Sequence, residues 1–241
     1  MDLLLIQISD LDTIDHLVLF FKQGYPNIAY LVTLVVAINT YRKYYDTLLK
    51  YFAVLIAYTL FNEILGYLIR YYPDFSFFTD LPNNTFNDII YNIYDLIFFG
   101  YFYYIYWNLT KSKAFKKSVM IGAIVALSSY IINAIVFDPF LFSLFYANAI
   151  ASWILVLCIT QYFIELGSNF DWKSQRYNLM LWVSLGLITF NFFFPFFFVS
   201  AYRMPDAWQN YNPMDMIRIL IILMYFLFCY GFIVSRKRLF Q

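Results

Sequence analysis

Ile121-Gly-Ala-Ile-Val-Ala-Leu-Ser-Ser-Tyr-Ile-Ile-Asn-Ala-Ile-Val136 contains no charged side chain and no alternation of apolar with polar residues. The apolar stretch around it covers about 116–137, long enough as a helix to cross a hydrocarbon core roughly 30 Å thick. A barrel strand would need segments of about ten residues alternating in polarity. A helix satisfies its own backbone hydrogen bonds, which lipid cannot do for it. The same reading carried outward finds six more stretches, near 27–45, 48–70, 87–108, 141–165, 176–200 and 213–235. The expected fold is therefore all-α, a polytopic membrane protein with seven transmembrane helices.

Composition agrees. Of 241 residues, 63% are hydrophobic, 24% aromatic and only 13% charged, against about 25% charged in an average soluble domain. A soluble globule of this size could not cover so much apolar surface, and a disordered chain is excluded by the same figures. A net charge of +1 gives no field for nucleic acid, and no recognition-helix or RNA-binding pattern is present. The lipid bilayer is the first expected partner.

Proline supports the divisions. Pro26, Pro73, Pro82, Pro139, Pro205 and Pro213 fall in gaps or at helix starts, where a missing N–H does no harm. Pro195 alone lies inside a span and is expected to kink the sixth helix. Gly66, Gly100, Gly122, Gly186 and Gly231 lie within spans, where small residues let helices approach closely.

Orientation follows from Lys and Arg. Arg42, Lys43 and Lys50 are in the first loop, Lys111, Lys113, Lys116 and Lys117 in the third, and Lys173 and Arg176 in the fifth. Arg236, Lys237 and Arg238 are in the tail. Only Lys22, Arg70, Arg203 and Arg218 fall on the other side, which carries most of the acids. The N-terminus is expected outside and the C-terminus in the cytoplasm. Residues 1–26 form an N-terminal segment without the marks of a secretory signal, holding a short interfacial helix capped around Asp12 or Thr13. Residues 27–235 form the bundle and 236–241 a basic cytoplasmic tail. The lysine cluster 111–117 is first a topology signal and second an attraction for anionic lipid.

Little chemistry accompanies this frame. One His, His16, and two Cys, Cys158 and Cys229, do not make a metal set, and the two thiols read as packing residues without a disulfide. No nucleotide-binding, serine-hydrolase or zinc-hydrolase motif occurs, so neither cofactor nor metal is expected. What remains is polar residues inside spans, which are costly there and tend to face the bundle interior. Glu63 and Asp95 lie at similar depth on antiparallel helices. Thr59, Glu63, Gly66 and Arg70 form one helical stripe, and Asp88, Asn92 and Asp95 another. Asn148, Asn191, Ser129 with Asn133, and Asp215 with Arg218 enter the same outer layer. The ligand-pocket candidates are Glu63, Asp95, Asn92, Asn148, Asn191, Arg218 and Arg70. The plainer reading makes the amides interhelical glue and pairs the carboxylates with Arg218 or Arg70. The two carboxylates could also share a proton. The aromatic run 101–107 reads as an interfacial belt.

In topology, residues 27–235 resemble the seven-helix membrane region of bacterial sensor proteins. That resemblance implies a receptor- or sensor-like module in the bacterial inner membrane, with an outward-facing polar pocket. It would signal through a separate partner such as a histidine kinase, because only a few residues follow the last span. Other classes stay open: a small-molecule or ion transporter, an intramembrane enzyme using Glu63 and Asp95 as acid and base, or a structural subunit of a membrane complex or oligomer.

Overall fold

The structure is a computed structural model that describes residues 24–71, 86–140, 142–167, 171–203 and 213–236. Among them run seven helices longer than three turns: α1 (Pro26–Asn39), α2 (Phe52–Tyr71), α3 (Phe86–Leu109), α4 (Lys113–Val136), α5 (Phe145–Gly167), α6 (Leu179–Arg203) and α7 (Pro213–Val234). A single helical turn, Trp172–Gln175, precedes α6, and 3-10 turns at Tyr41–Lys43 and Leu48–Tyr51 join α1 to α2. The expected interfacial helix near Asp12 lies outside the described residues.

Five helices are long and apolar enough to cross a membrane: α2 with the 3-10 turn before it, α4, α5, α6 and α7. The other two fall short for different reasons. At 14 residues, α1 measures about 21 Å at 1.5 Å per residue. Its end is set locally: Thr40 donates to Val36 O at 2.7 Å, and the buried Tyr44 hydroxyl donates back to Ala37 O at 2.8 Å. α3 is 24 residues long but too polar, with Asp88, Asn92, Asp95 and six tyrosines along it.

Helix neighbours define the plan. α1 packs on α2, α2 on α3, α3 on α5, α5 on α6, α6 on α7, and α7 back on α1. Six helices thus close a ring, and α4 lies outside it against α3 and α5. Only 22% of the apolar window of α4 is buried, against 50% for α6. The exposed side chains of α4 include Ile121, Ile124, Val125, Ile131, Ile132 and Ile135, an outer face that suits lipid and not water.

The lysine-bearing segments meet at one end of the bundle. Lys43 Nζ donates to the carbonyls of Phe232 (3.3 Å) and Ile233 (2.8 Å) at the end of α7. The Arg236 N–H donates to Tyr177 O at 3.2 Å, and its guanidinium lies 4.0 Å from the Tyr177 ring centre. Glu165, near the end of α5, accepts from the N–H groups of Lys111 (3.0 Å) and Ser112 (2.8 Å) where α4 begins. A carboxylate there satisfies amides that have no partner inside the helix and suits its positive end.

Two glycines seat α6 on α7 reciprocally. A Cβ on Gly186 would lie 2.7 Å from the Phe228 ring and 2.9 Å from Met224 O; one on Gly231 would lie 2.7 Å from Trp182 Cβ. Gly122 meets Ile154 in the same way. Gly100 departs from the expectation of close packing, because a Cβ there would meet nothing within 4 Å. The backbone of α6 stays helical through Pro195, which has no N–H to offer the carbonyl of Asn191. Cys158 and Cys229 are both free thiols.

Candidate functional site

The polar residues expected in one layer divide between two faces of α3. The first face holds the loop between α4 and α5. Asn92 is buried and uses both ends of its amide: Nδ2 donates to Pro139 O (2.9 Å) and Phe142 O (3.1 Å), and Oδ1 accepts from the Leu144 N–H (2.9 Å). One turn away Asp88 accepts from the Ser143 hydroxyl, and on the other side Asp95 accepts from Asn148 Nδ2. Ser152 completes the chain by donating to Asn148 Oδ1 at 3.3 Å. The stripe Asp88, Asn92 and Asp95 is therefore a single face, as its spacing requires. It clamps the α4–α5 hairpin to α3.

The second face turns toward α2 and α7. Tyr91 donates to Glu63 Oε2 at 3.3 Å. Next to this pair, Thr59 Oγ1 lies 3.0 Å from Tyr94 OH and 3.4 Å from Tyr225 OH. Its own proton goes to Leu55 O at 3.0 Å, so both tyrosine hydroxyls donate to it, one from α3 and one from α7. α1 joins through Thr33, which donates to Tyr225 O at 3.3 Å, and through Tyr30, whose ring packs edge-on against Tyr225 with centres 4.5 Å apart. Three helices thus meet at one threonine hydroxyl and α1 joins them through Tyr225, with Glu63 one turn farther from the lysine end. Asn62 beside it is buried, and its Nδ2 has no hydrogen-bond partner.

Asp95 and Asn148 are brought together, with Asn92 on the same face, while Glu63 faces a different neighbour. Arg218 pairs with Asp215 on its own helix at 2.9 Å, both side chains partly exposed, and its guanidinium lies 5.6 Å from the Tyr25 ring centre. Asn191 is buried and donates to Leu187 O within α6 at 2.9 Å. The side chain of Arg70 lies outside the described residues. No group of three His, Cys, Asp or Glu among the described residues could hold a metal ion.

Toward the lysine end the interior is aromatic. The ring of Phe52 sits among Phe102 (5.9 Å between centres), Phe228 (5.1 Å) and Phe232 (5.6 Å), all four nearly without exposure. Tyr106 bonds to Ser184 at 2.8 Å and Tyr103 donates to Ala151 O at 2.7 Å. These two buried hydroxyls are thus satisfied, whereas that of Tyr101, whose ring stacks on Phe52, has no hydrogen-bond partner among the described residues.

Sequence reasoning missed Tyr30, Tyr91, Tyr94 and Tyr225. Tyrosine in a membrane chain reads first as an interfacial residue. The available signal was the spacing of Tyr91, Tyr94 and Phe98, which gives α3 an aromatic face separate from its Asp88–Asn92–Asp95 face. The fold and site together define a helical bundle suited to a multi-pass membrane protein. No family model matches the chain, and neither the curated proteins nor the solved structures provide a match.

Proposed function

We propose that this chain is a receptor- or sensor-like module of the bacterial inner membrane, spanning it seven times with the N-terminus outside and the C-terminus in the cytoplasm. The sensing site is the Glu63 cluster, open to protons or a small polar ligand from outside, with the Asp95–Asn148 pair beside it. The reading rests chiefly on the hydroxyl of Thr59, on which Tyr94 and Tyr225 converge from α3 and α7. A change in charge at Glu63 acts one turn from this junction, and α7 carries the change to the lysine end, where a separate kinase-like partner reads it. Transport would need a polar path through the bundle. The packed rings around Phe52 favour sensing over transport.

Glu63→Gln tests the reading in protein reconstituted into bilayers. The expected result is an altered rate of amide hydrogen exchange at residues 226–236 and 40–51, with the melting temperature held within a few degrees. Unchanged exchange at the lysine end in Glu63→Gln and in Thr59→Val would end the sensor reading. Solute or ion flux through proteoliposomes that Glu63→Gln abolishes would replace it with transport.

A further inference from the structure

The groove between α3 and α4 takes no part in the sensing proposal. It encloses about 330 Å³ and is lined by apolar and aromatic side chains, with Leu96, Phe99 and Trp107 on one wall and Met120, Ala123 and Leu127 on the other. Gly100 lies along it, and a side chain there would meet nothing within 4 Å. Gly122, Gly186 and Gly231, which like Gly100 lie inside long helices, are each met by a neighbour, whereas Gly167 at the very end of α5 also meets nothing. At Gly100 the neighbour is missing from mid-helix. The groove opens sideways, since Leu96, Trp107, Met120 and Leu127 are all among the exposed hydrophobic residues. From Leu96 to Trp107 it follows α3 for about 16 Å at 1.5 Å per residue.

Its lysine end is cationic. Lys116 Nζ stands over the Trp107 ring, 5.2 Å from its centre, and Lys113 and Lys117 are exposed on the same first turns of α4. The first turn of α4 has no acidic residue. The nearby carboxylate of Glu165 is directed at the backbone N–H groups of Lys111 and Ser112. An amphiphile that fits has its anionic head at the lysines and its apolar chain pointing toward Leu96.

We propose that this groove binds one acyl chain of an anionic phospholipid from the leaflet at the lysine end, with Lys116, Lys113 and Lys117 meeting its phosphate headgroup. A zwitterionic lipid offers the same chain but no net charge. Each lysine near such a headgroup contributes about 1 kcal/mol, or about fivefold in affinity. Selectivity for charge therefore comes from α4, and retention of the chain from the bare backbone at Gly100.

The test is native mass spectrometry of the full chain after extraction from nanodiscs of equal phosphatidylglycerol and phosphatidylcholine. Wild type is expected to keep one phosphatidylglycerol at least about fivefold over phosphatidylcholine. Gly100→Leu fills the groove and loses the lipid, and Ala123→Leu does the same from the opposite wall. Changing Lys113, Lys116 and Lys117 to Gln keeps a lipid but removes the preference. The proposal is overturned if wild type retains both lipids equally, whichever variants fold. It is equally overturned if a folded Gly100→Leu keeps its phosphatidylglycerol, if a free fatty acid is retained in its place, or if a second copy of the chain covers the groove and Gly100→Leu turns a dimer into a monomer.

Discussion

The α6–α7 and α3–α4 seams both contain glycine inside long helices, yet they are built on different principles. At α6–α7 each glycine accepts a ring or backbone atom of the partner, so the helices touch along their length. At α3–α4 the glycine faces open space, while α4 rests along its length on α5, where Gly122 meets Ile154, and is tied further by polar contacts near its ends. Asn92 fixes the loop after it, Glu165 caps its first amides, and Gln161 donates to Ser118 at 2.9 Å. A glycine in a membrane helix is thus only permission for close approach. Whether the approach occurs depends on what the facing helix presents.

Three substitutions would break or sharpen this contrast. The largest effect is expected at the packed seam. Gly186→Leu must displace Met224 O, a backbone atom, and should destabilise the folded protein by about 3 kcal/mol, seen as a lowered unfolding midpoint in detergent. Next is the end clamp. Asn92→Leu leaves the Leu144 N–H and two carbonyls without their partner, a cost of about 2 kcal/mol. Faster hydrogen exchange confined to residues 137–146 would show that the clamp acts locally; uniform loosening of the bundle would refute a local role for it. The smallest effect belongs to Gly100→Ala. With no neighbour to meet, and with alanine the better helix former by about 0.8–1.0 kcal/mol in a helix interior, it should leave stability unchanged or slightly raised. A loss as large as that of Gly186→Leu would mean that the groove closes in the membrane.

Much of this frame could be read from residue order. The five membrane-length helices fall close to the apolar stretches that announce them, because hydrocarbon thickness sets their length. The departures are local. α1 stops at Asn39, short of the expected 45, because Thr40 and Tyr44 take over its last carbonyls. α5 begins at Phe145, not at 141, since the preceding residues answer to Asn92 on another helix. For the candidate site, depth sufficed to bring Asp95 to Asn148. It could not separate Glu63 from Asp95, because rise along a helix says nothing about which neighbour lies beside it. The convergence on Thr59 also depends on the ring closing α7 against α1 and α2, a sideways relation that hydropathy does not encode.

The same closure has an electrostatic consequence at Lys43. α1 and α7 are neighbours that run in the same direction, so their peptide dipoles point alike and their carbonyl ends come together. Each such end carries about half an elementary negative charge, which makes the pair equivalent to about one. A single ammonium group placed on the carbonyls of Phe232 and Ile233, four residues past the end of α1, neutralises that sum. Lys43 is then both a topological mark and the counter-ion of the bundle's parallel closing seam.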